Sequence, residues 1–229
     1  MSKFYGFIYK CLGGIVRRLY RVRITGAENE PENGPFIVCA NHLSNHDVVI
    51  LAASMKHQIR FAAKAELFKI PLLSGLVRSL GAYPIERGKG DVGAIKKSIK
   101  MLEDGEVIGF FPQGHRRPGV HPSETEVKPG VGMITARAKV TVLPVSITAK
   151  KFRMRFFRKT YITIGKPIEF SEYGELAGNK TDYDMITQQV FAKICAQTDG
   201  VLALTSGKKN AGALPEAKKD GDENADNRS

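Results

Sequence analysis

Apolar residues recur along this chain with two alternating periods, and the change from one to the other marks its elements. Between Lys3 and Tyr20, the residues Phe4, Ile8, Cys11, Leu12, Ile15 and Leu19 fall on one side of a helix, with Lys3, Lys10, Arg17 and Arg21 opposite. Short apolar runs of strand length follow at Pro35–Ala40, Ile59–Ala63, Ala82–Ile85, Val107–Phe111 and Val140–Ile147, the last running through Pro144. Helical spacing separates them at Val48–Met55, Leu72–Leu80, Val92–Leu102 and Gly130–Ala138, with Asp104-Gly105 as a stop signal. Phe152–Phe157 and Tyr161–Ile164 read as an antiparallel pair, and Thr181–Thr198 as a closing helix with Ile186, Val190, Phe191 and Ile194 inward. Strand–helix alternation of this kind predicts an α/β fold: a single domain with a mixed central sheet flanked by helices, preceded by an N-terminal amphipathic helix. The expected division is 1–21 for that helix, 22–205 for the α/β domain and 206–229 for a disordered polar tail.

Charge adds a partner class. The chain of 229 residues has 35 Lys and Arg against 23 Asp and Glu, a net of +12. The tail from Ser206 is balanced, so the excess belongs to the folded part and points to nucleic acid, an acidic lipid surface or a phosphorylated substrate. Phe and Tyr are not interleaved with the basic residues as a stacking surface requires, and no nucleic-acid-binding motif is present, so nucleic acid is not expected. The N-terminal helix has the pattern of one lying in a lipid interface, with basic residues toward anionic headgroups. An ordinary amphipathic helix packed on the domain has the same pattern, and Gly13-Gly14 weakens either. No stretch approaches the ~20 apolar residues of a spanning helix, and the N-terminus lacks a signal-peptide cleavage pattern. The expected location is peripheral or monotopic, on the cytoplasmic face of the cell membrane. Cys11, Cys39 and Cys195 are too scattered for a disulfide framework or zinc site, which fits a reducing compartment.

The candidate chemistry sits where strands end. Asn41-His42-Leu43-Ser44-Asn45-His46-Asp47 follows the first body strand, at the kind of edge where α/β sheets bind ligands. A helix starting near Ser44 turns the Asp47 carboxylate back toward His42, so that one ring nitrogen is held and the other is free to accept a proton. The same residues also read as a simple helix cap. His42 and His46 have metal-ligand spacing but no third ligand cluster beside them, so no metal is expected. Cys39 lies in an apolar strand and reads as core. Arg87 ends the segment from Gly81, and Arg116 and Arg117 follow Phe110-Phe111-Pro112-Gln113-Gly114-His115. Guanidinium groups clasp phosphate, and Gly permits close approach; any one of these Arg taken alone reads as a solvated charge at a strand end.

Taken in order, Asn41-His42-x4-Asp47, Gly81 to Arg87, Phe111-Pro112-x-Gly114-x-Arg116 and Val142-Leu143-Pro144-Val145 resemble the four blocks of the glycerolipid acyltransferase family, whose typical members are 1-acylglycerol-3-phosphate acyltransferases. Lys64-Ala65-Glu66-Leu67-Phe68 and Lys128-Pro129-Gly130 resemble family segments too, and the likeness runs from about Val22 to Pro167. The resemblance implies that His42 is the general base, Asp47 its orienting acid, and Arg87 and Arg116 the ligands of a substrate phosphate, with Gln113 and Gly114 beside them. It implies acyl binding or packing for Val142 and Pro144. It also implies an acyl-CoA or acyl-carrier-protein thioester as donor substrate without further cofactor, a lysophospholipid acceptor, and direct attack by the sn-2 hydroxyl of 1-acyl-sn-glycerol 3-phosphate. Two positions depart from the family's Pro-Glu-Gly-Thr-Arg: Gln113 lacks the charge, and His115 replaces a hydroxyl. They keep open a different lysophospholipid or amino-acid lipid acceptor, or a non-catalytic membrane-binding protein of the same fold.

Overall fold

The computed structural model describes residues 13–71, 74–75, 81–85 and 92–206. Seven strands form one sheet: β1 (Val22–Thr25), β2 (Phe36–Ala40), β3 (Ile59–Lys64), β4 (Tyr83–Ile85), β5 (Val107–Phe110), β6 (Thr141–Ala149) and β7 (Thr160–Ile164). Their order is β1-β7-β6-β2-β5-β3-β4. From β6 to β4 all neighbours are parallel, while β7 pairs antiparallel to β6 and parallel to β1. The sheet is mixed, as expected.

The helices are α1 (13–19), α2 (Asp47–Ser54), α3 (Val92–Glu103), α4 (Gly130–Ala138) and α5 (Lys180–Ser206). They form a layer on each face, and the alternation within β2 shows why. Phe36, Val38 and Ala40 point into one cluster with Ile50 and Leu51 of α2, joined by Val16 and Leu19 of α1. Ile37 and Cys39 point into the other, with Leu102 of α3, Val131 and Ile134 of α4, and Ile186, Val190, Phe191 and Ile194 of α5. A strand buried on both faces has a continuous apolar run because both sets of alternating side chains need apolar partners. Each fully buried Ile, Leu or Phe contributes about 1.5–3 kcal/mol.

Two expectations change, and one strand is new. Phe152–Phe157 is not a strand. It lies in the β6–β7 connection, where Lys151, Phe152 and Phe157 have positive φ and break the extended geometry; β7 pairs with β6 itself. Residues 22–25, to which the apolar pattern assigns no element, form edge strand β1 against β7. The closing helix continues past Thr198 to Ser206. At the N-terminus, α1 packs on the body: Val16 and Leu19 lean on the core, and Arg17 Nη1 donates to Ala53 O at 3.0 Å, tying α1 to the end of α2. Residues 1–12, the segment most relevant to an interfacial helix, lie outside the described residues, as do most of the expected 72–80 helix and the tail from 207. Among the described residues, no helix is long and apolar enough to cross a membrane.

Candidate active site

Parallel pairing of β2 with β5 sets Cys39 opposite Phe110, so the loops leaving the two strands emerge side by side. One carries residues 41–46 and the other residues 111–117, and two backbone-directed bonds join them. Gln113 Oε1 accepts from the His42 backbone N–H at 2.6 Å, and the Arg117 N–H donates to His42 O at 2.8 Å. On the opposite flank of β2, the buried Asn41 side chain donates to Ile147 O at 2.9 Å and accepts from Ile147 N–H at 2.7 Å. His42 therefore sits on a loop tied to β5 and β6.

Its ring is held as firmly. His42 Nδ1 lies 2.6 Å from Asp47 Oδ2. That oxygen also accepts from the N–H groups of Leu43 at 2.6 Å and Ser44 at 2.8 Å, which fold the loop around the carboxylate. Asp47 is the first residue of α2, where the helix dipole favours negative charge. Its side chain is 0% exposed, and that burial raises its pKa, opposed by the bonds from His42, Ser44 and Leu43. The Asp47 side chain thus binds an imidazole as well as closing the loop, which a simple cap does not do. Phe111 stacks on the other plane of the ring, centroids 4.1 Å apart and planes at 12°, and Phe61 stacks in turn on Phe111 at 5.6 Å. Phe61 has room because its register partner on β5 is Gly109, where a Cβ would run into the ring. The His42 side chain keeps 15% exposure, and Nε2 has no hydrogen-bond partner among the described residues.

A second His–carboxylate pair marks the difference between a strut and a site. His57 Nδ1 lies 2.8 Å from Glu30 Oε1, and Glu30 also accepts from the N–H groups of Lys56 and His57. This pair lies just before β3, at the entry ends of the parallel strands, where it closes the turn after α2. His42 lies past their exit ends, on the side where such sheets bind ligands.

The remaining candidate residues separate. Gly114 has φ +71 and is exposed, with the Lys128 side chain beside it. Arg116 is exposed next to Arg117, on the same loop as Gln113. Gln113, expected to touch substrate, is only 2% exposed; its Oε1 faces His42 N–H and its Nε2 donates to Thr125 Oγ1 at 2.7 Å. Val142 is buried in the cluster under α3–α5, on the sheet face away from Phe61 and Phe111. Pro144 occupies the sheet where the β6–β7 ladder breaks, between Val145↔Ile164 and the Val142↔Ile168 bridge, so its missing N–H costs no ladder bond there. Its carbonyl accepts from Gly165 N–H. Arg87 lies outside the described residues. Cys39 is fully buried, and burial pushes its thiol pKa far upward, which leaves no thiolate to act as a nucleophile. Phe111 and Thr125 escaped the sequence reading: Phe111 stood unremarked inside a block, and nothing local links Thr125 to Gln113.

Comparison with known proteins fits this arrangement. Residues 21–148 match the family model described as Acyltransferase. The 1-acyl-sn-glycerol-3-phosphate acyltransferase of Bacillus subtilis is 26% identical over 175 residues, covering 75% of this chain and 86% of that protein. The Streptococcus pneumoniae protein of the same name is 31% identical over 148 residues, 63% of this chain and 53% of its own length. The chloroplastic enzyme of Arabidopsis thaliana is 28% identical over 149 residues, and the match spans 41% of its length. Among solved structures, the 1-acyl-sn-glycerophosphate acyltransferase of Thermotoga maritima superposes with a TM-score of 0.65 at 23% identity, covering 87% of this chain and 81% of that one. The family match covers more than half of the chain, including the whole of the His42 and Gln113 loops: this protein belongs to the acyltransferase family.

Proposed function

We propose that this acyltransferase moves a fatty acyl group from a thioester, acyl-CoA or acyl-carrier protein, to the sn-2 hydroxyl of 1-acyl-sn-glycerol 3-phosphate, forming phosphatidic acid at the cytoplasmic face of a membrane. The observation that carries the reading is the 2.6 Å contact of His42 Nδ1 with a fully buried Asp47, which leaves Nε2 for substrate. In the proposed reaction, Nε2 takes the hydroxyl proton as the oxygen attacks the thioester carbonyl. The tetrahedral intermediate then collapses, the C–S bond breaks, and the imidazolium returns its proton to the departing sulfur. Asp47 keeps Nδ1 protonated and stabilises the imidazolium between the two transfers, a role typically worth ~10²–10⁴ in rate for the base it serves. The buried Cys39 thiol favours direct attack over an acyl-enzyme. Arg116, with Arg87, is assigned to the acceptor phosphate, which the exposed position of Arg116 beside the His42 loop supports.

The test is mass spectrometry of product lipids from purified protein given mixed lysophospholipids, lyso amino-acid lipids and acyl thioesters. Phosphatidic acid is the expected product, and it should disappear in His42→Ala while the fold, read by circular dichroism, is retained. Transfer retained by that variant would remove His42 from the mechanism, and a different product lipid would replace the acceptor.

A further inference from the structure

The basic excess of this chain is concentrated in two segments of the sequence. Residues 1–27 contain six basic residues and residues 150–168 contain seven, with no Asp or Glu in either segment. Together they exceed the whole net charge of +12, so the rest of the chain is close to neutral. The fold brings the described parts of the two segments together: β1 pairs with β7 from Val22↔Thr160 onward, and the Phe157 N–H donates to Leu19 O at 2.7 Å. Arg18, Arg21, Arg23, Arg155, Arg158 and Lys159 are all exposed on this edge.

Large apolar side chains project from the same place. In the β6–β7 connection, Phe152 and Met154 turn inward against the core, whereas Phe156 is 52% and Phe157 71% exposed. Phe157 is held at φ 60, a backbone region that bulky residues rarely adopt, so its outward direction is built into the loop. Ile15, one turn before Leu19 on the same face of α1, is 61% exposed. Exposed aromatic and aliphatic tips ringed by Arg and Lys, with no acidic residue in either segment, match the boundary of an anionic bilayer, where apolar tips enter the acyl region and cations meet headgroup phosphates.

This edge also adjoins the catalytic loop. Tyr20, His46, Met154, Arg155 and Phe156 line a hollow of about 230 Å³, with the His46 ring 5.6 Å from Tyr20 and 5.9 Å from Phe156. His46 immediately precedes Asp47. We infer that the β6–β7 connection, led by Phe156 and Phe157 and flanked by Arg155, Arg158 and Lys159, is a membrane-docking surface that seats the protein on anionic lipid with the His42 loop beside the bilayer. It rests on the proposed function only in taking the bilayer as the substrate's location, and it adds an anchor in the folded body to the N-terminal helix.

The chain has no tryptophan, so Phe157→Trp supplies a single reporter. The full chain carrying it, in a His42→Ala background so that no lipid is consumed, is mixed with phosphatidylcholine vesicles with and without phosphatidylglycerol. The expected result with phosphatidylglycerol is a blue shift and quenching by brominated acyl chains, with neither effect from Met185→Trp on α5. In co-sedimentation, the double variant Arg158→Ser with Lys159→Ser should lose roughly thirty-fold in partitioning, about 1 kcal/mol per charge, with a weaker salt dependence. With His42 present, that variant should keep its transfer rate toward detergent-dispersed acceptor. A Phe157→Trp reporter silent toward vesicles, or one that responds to an acidic acyl-carrier protein and not to lipid, overturns the assignment. Because binding is read without chemistry, failure of the proposed reaction would leave this result standing, and the reverse also holds.

Discussion

Gln113 Oε1 accepts the His42 backbone N–H at 2.6 Å, and at the other end of the amide Nε2 donates to Thr125 Oγ1 at 2.7 Å. Thr125 Oγ1 donates its own proton to Pro122 O at 2.6 Å, so toward residue 113 it is an acceptor and needs a donor. An amide supplies one acceptor and one donor; a carboxylate supplies only acceptors. The departure from the family's third block therefore has a local partner in Thr125.

From this, Gln113→Glu places an unmatched carboxylate at a buried position, unless Thr125 turns its proton and releases Pro122 O. The first outcome leaves two acceptors facing each other at a buried position, at about 1–3 kcal/mol; the second costs Pro122 O its side-chain donor and leaves it the Thr125 N–H at 3.0 Å. For a chain of this size each kcal/mol moves Tm by about 2–4 °C, so thermal melting should show a fall of several degrees. Combining it with Thr125→Val should not restore stability, because the hydroxyl is then missing as well. A Gln113→Glu protein as stable as the parent would contradict the assigned bond directions.

Asp47→Asn separates function from stability. Burial raises the Asp47 pKa in the folded state, so its contribution to stability is fully present below the unfolded carboxylate pKa and is lost as pH rises through the folded value. The ionised form is thus the costly one. Relative to the parent, the Asn variant should gain stability from acid toward neutral pH while transfer falls by roughly 10²–10⁴. Denaturant titrations at a series of pH values, set beside initial rates, test both halves, and a stability difference moving the other way would contradict the sign.

Arg116→Ala bears on the acceptor phosphate. A charge-assisted hydrogen bond is worth about 1.5–3 kcal/mol, so KM for a phosphate-bearing acceptor should rise roughly ten- to a hundredfold, with little change in kcat. The KM for an acceptor without the terminal phosphate should not move. Equal KM values for parent and variant would release Arg116 from this role.

Much of this protein was legible before its fold. The α/β class followed from strand-length apolar runs alternating with helical spacing, because burial of one strand on both faces demands apolar side chains at every position, as in Phe36–Ala40. His42 and Asp47 were legible as a pair because they are five residues apart, and one loop and one turn of helix suffice to bring them together. Phe152–Phe157 misled because its apolar pattern is that of a strand, while positive φ at Phe152 and Phe157, and at Lys151 just before them, turns it into a loop with Phe156 and Phe157 outward. Backbone conformations of that kind in non-glycine residues leave no mark in the sequence. Tertiary structure alone decided the rest. Only the pairing of β2 with β5 sets Gln113 under the His42 backbone, 71 residues away, and only the pairing of β1 with β7 gathers two distant basic segments onto one edge. Local sequence fixes what each segment can bury and which residues lie within one turn of each other; the hydrogen-bond register between strands fixes which segments meet.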